Sequence, residues 1–148
     1  MTEGAPKSRA LRPDELEGLI RALDFAGLPS GDVRLPGRRF FRFDCDGVKV
    51  GYGGLEGTAP ELLLRSVVVL PGMRGRGHGR RIVAALEQQA AGARLHLLTT
   101  TAADFFQRLG YVAAERATAP PAIAGSREFA ALCPVTARYM VKDLLAPG

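Results

Sequence analysis

The chain has 148 residues, of which 47% are apolar, and this composition fits one globular domain, residues 1–148, better than two. No apolar run approaches the length of a membrane span and the first ten residues lack a hydrophobic secretion signal, so a cytoplasmic protein without a membrane partner is expected. Cys45 and Cys133 lie far apart without metal-ligand spacing, so we expect reduced thiols and no metal site. Much of the +5 formal net charge comes from arginines at positions 74–81, which suits a compact polyanion better than a nucleic acid.

The N-terminal half is predicted to form one helix and then antiparallel strands. A short strand around residues 8–11 precedes a helix over residues 13–26, which Gly27 can end. Asp46-Gly47 predicts a hairpin between two strands, and the glycines at 51, 53, 54 and 57 indicate a bend or a close backbone approach in the second. A third antiparallel strand, residues 61–70, is nearly all apolar and should be buried on both faces.

The C-terminal half is predicted to alternate helices and strands. A helical pattern over residues 77–91 ends at Gly92, and a short buried strand follows over residues 94–98. Thr101 and Asp104 have capping-box spacing, which predicts a short helix that Gly110 closes. Strands are predicted over residues 111–116 and 136–144, separated by an irregular, substrate-facing excursion over residues 119–134. This order predicts an α/β (α+β) fold with a mixed sheet.

A loop rich in glycine and arginine joins the third strand to the next helix. Its sequence is Arg74-Gly75-Arg76-Gly77-His78-Gly79-Arg80. A strand, a glycine turn and a helix start offer backbone N–H groups and a positive helix end to an anion, and arginine adds donors for phosphate oxygens, so the loop predicts pyrophosphate binding. A nucleoside-triphosphate loop needs lysine and Ser/Thr where His78 and Gly79 stand, and a dinucleotide loop needs G-x-G-x-x-G, so neither alternative fits.

The order R-x-x-G-x-G in this loop resembles the acetyl-CoA loop of the GNAT N-acetyltransferases. Residues 67–71 are similar to the strand that precedes that loop, and residues 105–111 are similar to the family's later "F-Y-x-x-x-G-F" helix and turn. More narrowly, residues 63–67, 97–102 and 128–134 resemble the arsenic-resistance N-acetyltransferases of arsenic operons. The run Leu98-Thr99-Thr100 is also similar to the acetyltransferase domain of N-acetylglutamate synthases.

The resemblance implies a GNAT fold, in which a mixed, mostly antiparallel central sheet is flanked by helices and splayed at the cofactor-binding strands. It implies acetyl-CoA as the cosubstrate and, as acceptor, the amine of a small acidic amino acid such as glutamate or arsinothricin, with a homodimer as the expected assembly. Another small amine, such as a drug or a polyamine, is the alternative acceptor. A polyamine site would need a carboxylate-lined pocket, and a glutamate-like site an arginine-lined one.

The resemblance also implies roles for individual residues. Val67 would offer its backbone N–H to the thioester oxygen, and Val69 would bond the pantetheine. The implied cofactor-binding residues are Val67, Val69, Arg74, Gly75, Arg76, Gly77, His78, Gly79, Arg80, Thr99 and Phe106. The substrate candidates are Arg65, Ser66, Arg38 and Arg138. A buried arginine needs a partner, and for Arg65 this is either a structural carboxylate such as Glu56 or a substrate anion.

The sequence leaves the proton chemistry unassigned. Phe106 stands where many GNAT enzymes carry a tyrosine that protonates the departing thiolate, and phenylalanine cannot donate a proton. Tyr139 or a water is the candidate acid, and no carboxylate base is evident on the central strand. A catalytically silent acetyl-CoA-binding module therefore stays open as an alternative. RNA binding by the Arg-Gly run is disfavoured, because a helix follows directly and exposed aromatic residues are not interleaved.

Overall fold

The computed structural model describes residues 6–134 and 136–144. Helices and strands alternate through most of this length. The strands are β1 Lys7–Ala10, β2 Arg38–Cys45, β3 Val48–Thr58, β4 Glu61–Val69, β5 Arg94–Thr99, β6 Val112–Ala114 and β7 Arg138–Asp143. The helices are α1 Leu16–Ala26, α2 His78–Gln89, α3 Ala103–Arg108 and α4 Pro121–Ala124, with 3-10 turns at Pro13–Glu15 and Arg116–Thr118 and a π-helical turn at Glu128–Leu132.

One mixed sheet organises the described part of the chain. Its seven strands lie in the order β1-β2-β3-β4-β5-β7-β6, and every neighbouring pair is antiparallel except β4 and β5. On one face, α2 packs Ile82, Val83 and Leu86 against the sheet, and on the other α1 packs Leu19 and Leu23. The mixed, mostly antiparallel sheet flanked by helices is the predicted fold.

The local turn predictions are confirmed. The β2–β3 hairpin turns on Asp46 and Gly47, with φ of 52° and 78°, and Gly27 ends α1 with φ of 73°. The predicted close approach in β3 is present, since a Cβ on Gly53 would lie 2.6 Å from Leu86 Cδ1. Larger side chains at this position would collide with α2.

Other boundaries differ from the prediction. The capping box is wrong: α3 begins at Ala103, and its N-cap Ala102 has no side-chain cap, but the Ala102 N–H donates instead to Thr99 Oγ1 at 2.9 Å. The predicted helix over residues 13–26 opens as the 3-10 turn, and α2 is shorter at both ends than predicted. The predicted strand over residues 111–116 is only β6, and the excursion over residues 119–134 holds α4 and the π-helical turn.

The central strand β4 is irregular where the predicted chemistry lies. Ser66 has φ of 61°, and the β3–β4 register shifts between Tyr52 and Gly54, so β4 carries a bulge at this point. On its other side β4 pairs with β5 only over its first three residues, from Glu61 to Leu63. Beyond that residue the two strands separate, which is the predicted splay, starting before Val67. The separation opens the sheet for a ligand.

Candidate functional site

A cavity of about 810 Å³ lies where β4 and β5 separate. Its walls come from four parts of the chain that the splay brings together. They are residues 64–69 of β4, the loop and start of α2 at residues 73–80, the end of β5 with residues 100–102, and the aromatic pair of α3. Residues 26–29 and the segment carrying Glu128, Cys133 and Pro134 complete the lining. This volume is in the range of sites that enclose small-molecule ligands.

The glycine loop forms the end of the cavity next to α2. Gly77 is the N-cap of α2 in the left-handed region with φ of 79°, and the helix begins at His78. The first backbone N–H groups of a helix have no partner within it, so they suit an anion. A Cβ on Gly79 would lie 3.3 Å from the Phe105 ring and 3.6 Å from Val69 Cγ2, so glycine permits the close approach of α2 to Phe105.

Some of the charged loop residues line the cavity and others lie outside its lining. Arg74 and Arg80 line the cavity, and Arg74 Nε donates to the Val69 carbonyl at 3.2 Å. Arg76 is absent from the lining, and its carbonyl accepts from Arg81 Nη1 at 2.9 Å. The His78 ring is buried, with Nδ1 3.6 Å from the Cys45 sulfur, so its backbone is better placed than its side chain for an anion.

The strand ends and α3 supply the remaining predicted cofactor residues. Val67 and Val69 line the cavity from β4, and Thr99 lines it from β5. Phe106 lines it from α3, packed edge-to-face on Phe105 and on the buried Tyr111. The predicted cofactor residues thus surround one cavity, with the exception of Arg76.

Arg65 is held by a buried carboxylate cluster. Its Nη1 and Nη2 donate to the two oxygens of Asp32 at 2.6 and 2.7 Å, and Nη1 also donates to Glu56 at 2.9 Å. Its Nε lies 3.3 Å from Glu128 and 3.2 Å from Ser66 Oγ. The Arg65 side chain has no exposed surface. Since carboxylates occupy its donors, the structure favours the structural interpretation of Arg65, with Asp32 as a partner that the sequence did not reveal.

Burial and charge act in opposite directions within this cluster. Burial alone would raise the pKa of Asp32, but the hydrogen bonds and positive charges of Arg65 and Arg38 outweigh it and lower that pKa. For Glu128 burial prevails: it raises the pKa to about 7 against the attraction of Arg65, helped by the nearby charges of Asp32 and Glu56. Burial also raises the pKa of Cys133 to about 11, so this thiol stays neutral.

Glu128 is the site residue that the sequence analysis missed. It lines the cavity from the π-helical turn and contacts Arg65, which lies on β4. The sequence predicts a substrate-facing excursion over residues 119–134, but nothing local marks one glutamate within it as cavity-facing. The available signal was Arg65 itself, because a buried guanidinium has five N–H donors, more than one carboxylate can accept.

Three other candidates lie away from the cavity wall. Arg38 pairs with Asp32 at 2.9 Å, and neither Arg38 nor Arg138 lines the cavity, so the structure does not bring them to the predicted substrate site. Tyr139 is buried outside it, with its hydroxyl 2.7 Å from His96 Nδ1. Because this hydroxyl is engaged between β5 and β7, the structure does not bring Tyr139 to the cavity as the candidate acid for the thiolate.

Among the described residues, no group of three or more His, Cys, Asp or Glu side chains is placed to hold a metal ion. Within the same residues, no helix has the length and apolar character needed to cross a bilayer. Neither described cysteine forms a disulfide.

The fold is similar to that of several acetyltransferases of known structure. N-acetylglutamate synthase from Neisseria gonorrhoeae, crystallised with coenzyme A and L-arginine, matches 96% of this chain at 18% identity and a TM-score of 0.72. The match covers 34% of that protein, so this chain spans about a third of its length. Rv2747 from Mycobacterium tuberculosis, in complex with CoA, matches 95% of this chain and 100% of its own at 22% identity and a TM-score of 0.72.

The ribosomal-protein-S18-alanine N-acetyltransferase from Escherichia coli is a third similar structure, with 15% identity, a TM-score of 0.66, and coverage of 97% of this chain and 96% of its own.

No curated protein matches the sequence significantly. The family model described as an acetyltransferase (GNAT) domain matches residues 36–113, just over half of the chain. The chain therefore belongs to the GNAT family, whose members are N-acetyltransferases that use acetyl-CoA.

Proposed function

We propose that this chain, as one acetyltransferase domain in the cytoplasm, transfers an acetyl group from acetyl-CoA to the amine of a small amino-acid-like acceptor. The observation that carries the proposal is the cavity between β4 and β5, which is continuous with the glycine loop. A ligand with a long thioester arm and a pyrophosphate needs this combination of an open sheet and an anion site.

In this proposal the cofactor spans the cavity from the loop to the bulge in β4. The backbone N–H groups at the start of α2, with Arg74 and Arg80, bind the pyrophosphate. Beyond Leu63, β4 has no pairing with β5, so the pantetheine amides can take backbone partners on β4, including Val69. The Val67 N–H serves as oxyanion donor, a role worth a few kcal/mol in comparable sites.

The proposed acceptor is an acidic amino acid, glutamate-like or arsinothricin-like, with a role in arsenic resistance. Support comes from the sequence runs at residues 63–67, 97–102 and 128–134, which resemble the arsenic-resistance enzymes. The likeness to a protein named N-acetylglutamate synthase agrees with an amino-acid acceptor. In this proposal the acceptor amine lies near Ser66 and Glu128, which both line the cavity and lie beside Arg65.

A second candidate, a polyamine acceptor, is favoured by the charges near Ser66 and Glu128. Glu128 places a carboxylate on the cavity wall, whereas the Arg65 donors are already engaged by carboxylates. A cationic acceptor such as spermidine would match a cavity wall that offers a carboxylate and no unengaged Arg65 donors.

An assay of thiol release from acetyl-CoA tests the proposal and separates the two acceptor classes. L-glutamate, phosphinothricin, arsinothricin and spermidine are compared at equal concentration, and the acetylated products are identified by mass spectrometry. Faster turnover of the anionic amino acids supports the first candidate, and preference for spermidine supports the second. Coenzyme A binding without turnover on this panel would instead support the silent binding module.

Phe106 gives an internal check on that last outcome. Phe106→Tyr restores the proton donor that the family motif carries, in a side chain that already lines the cavity. Higher kcat in this variant would show that thiolate protonation limits the wild-type rate. Tyr111→Phe is the matched control, since it alters a buried neighbouring ring outside the cavity lining.

A further inference from the structure

We propose that Glu128 is the general base that accepts the proton from the acceptor's ammonium group. This inference rests on the proposed acetyl transfer and assigns the step that the sequence left open. It concerns a residue from the segment between α4 and β7, far along the chain from the central strand.

The position of Glu128 in the cavity is the first support. Within the described residues it is the sole Asp or Glu that lines the cavity. Its Oε2 lies 3.3 Å from Arg65 Nε, and the same Nε lies 3.2 Å from Ser66 Oγ. Ser66 precedes Val67, the proposed oxyanion donor, so the carboxylate lies beside the β4 bulge. A base at this place is close to where an amine must approach the thioester.

The local backbone holds Glu128 in place. Its carbonyl accepts from the Cys133 N–H at 2.9 Å, which closes the π-helical turn. Ser126 Oγ accepts from the Phe129 N–H at 3.2 Å and donates to the Ile123 carbonyl at 2.8 Å, which fixes the start of the turn. Phe129 is itself buried against Tyr139. Short π-helical turns occur frequently at functional sites, and this one carries the cavity carboxylate.

The charges around Glu128 allow it to gain and lose a proton near neutral pH. Arg65 faces it directly, but Asp32 and Glu56 already share that guanidinium, and Arg38 binds the same two carboxylates. Three carboxylates therefore meet two guanidinium groups. Burial, Asp32 and Glu56 raise the pKa of Glu128 to about 7 against Arg65 and Arg38, and the neighbouring Cys133 thiol is neutral. A base with a pKa near the working pH is well matched to its task.

The ionised Glu128 carboxylate takes one proton from R–NH3+, and the neutral nitrogen attacks the acetyl carbonyl carbon, forming the C–N bond. The carbonyl electrons move to oxygen, where the Val67 N–H stabilises the charge. When they return, the C–S bond breaks, the thiolate of coenzyme A leaves, and the second nitrogen proton passes to that sulfur through water. Glu128 then releases its proton to solvent.

The test compares pH profiles of kcat/KM for the wild type, Glu128→Gln and Glu56→Gln. The acceptor is whichever of the four compounds named above the wild type turns over fastest. Glu128→Gln keeps the side-chain volume and an oxygen acceptor for Arg65. Glu56→Gln is the matched control, because it removes a carboxylate from the same arginine outside the cavity lining. Coenzyme A affinity and the circular dichroism spectrum are measured for each variant to confirm folding.

For the wild type, kcat/KM should rise with pH, with a midpoint near pH 7, and then become constant. In Glu128→Gln we expect kcat/KM at pH 7 to fall by roughly 10²–10⁴-fold, since this is the usual contribution of general-base catalysis. The midpoint of the rise in kcat/KM should move upward to the pKa of the acceptor's own amine. The difference in kcat/KM between the variant and the wild type should therefore shrink as the pH increases. Glu56→Gln should keep the rise near pH 7 and move it slightly lower, because the Glu56 charge raises the pKa of Glu128.

Three results would overturn the assignment. An unchanged rate and profile in folded Glu128→Gln would exclude a base at this position. A higher KM for spermidine with unchanged kcat would make Glu128 a binding residue for a cation. If the wild type turns over no acceptor, the proposed function itself fails, and the role of Glu128 fails with it.

Discussion

Asp32 and Arg65 form a buried bidentate ion pair, with oxygen–nitrogen distances of 2.6 and 2.7 Å and no exposed side-chain surface on either residue. Asp32 lies between α1 and β2, and Arg65 lies on β4 beside the bulge. The pair therefore ties the N-terminal helical region to the strand that borders the candidate acetyl-transfer cavity. Charge on this strand is tolerated because its partners arrive from elsewhere in the chain.

Breaking this pair should destabilise the whole protein. Asp32→Asn leaves the Arg65 charge buried with fewer partners, and such a change typically costs about 3–5 kcal/mol. The free energy of unfolding by urea measures the loss. Arg34→Ala is the control, because it removes an exposed ion pair with Glu17, for which less than about 1 kcal/mol is expected. Similar losses of unfolding free energy in both variants would mean that Arg65 does not depend on the Asp32 carboxylate for its stability in the folded protein.

The ionisation of Glu128 should make stability fall as the pH rises. Its pKa is about 7 in the folded protein against an ordinary value of 4.5, so the folded state binds more protons than the unfolded state between these values. The free energy of unfolding should therefore decrease through that window, by on the order of 3 kcal/mol, and change little from this cause above pH 7. Asp32, with its lowered pKa, contributes the opposite dependence only under acidic conditions.

Glu128→Gln isolates this effect without any activity measurement. Its free energy of unfolding should lack the decrease between pH 4.5 and 7, so its stability rises relative to that of the wild type across this window. Urea titrations at several pH values give the comparison. Parallel curves for the two proteins would show that Glu128 is ionised at an ordinary pH in the folded state.

The two arginines at the glycine loop should affect one end of the cofactor only. Arg74→Ala or Arg80→Ala should weaken coenzyme A binding by roughly 1–2 kcal/mol, or about 5- to 30-fold, because each removes charged donors from the proposed pyrophosphate site. Calorimetric titration gives the Kd. Pantetheine, which has no pyrophosphate, should bind all variants equally. Arg21→Ala, an exposed change on α1, is the control, and equal weakening of pantetheine would contradict the assignment.

The β4 bulge should respond to the residue at position 66. Ser66 has a positive φ of 61°, which glycine accepts and a β-branched residue resists. Ser66→Val should be less stable than Ser66→Gly by about 1–2 kcal/mol in urea unfolding, and its kcat/KM should fall further because the bulge positions the Val67 N–H. Both variants lose the Ser66 Oγ contact with Arg65, so that contact does not contribute to the difference between them. Equal stabilities would argue against a left-handed residue here.

Much of the local structure follows from the sequence. The Asp46-Gly47 hairpin, the α1 stop at Gly27 and the glycine loop before α2 were all predictable, because each depends on the φ preferences or hydrophobic spacing of adjacent residues. The capping box at Thr101 does not form. α3 starts at Ala103 without a side-chain cap, and Thr99 Oγ1 at the end of β5 accepts from the Ala102 N–H, which the spacing of Thr101 and Asp104 does not reveal.

The sequence by itself determined the family motifs, the order of the elements and the anion-binding loop, since these are written in short runs of neighbouring residues. Only the tertiary structure decided which carboxylates surround Arg65 and which carboxylate lines the cavity. Asp32 and Glu128 come from segments remote in sequence and reach β4 through the order of the sheet and the packing of the loops. A buried charge selects partners by distance in space, and local sequence preferences do not encode that distance.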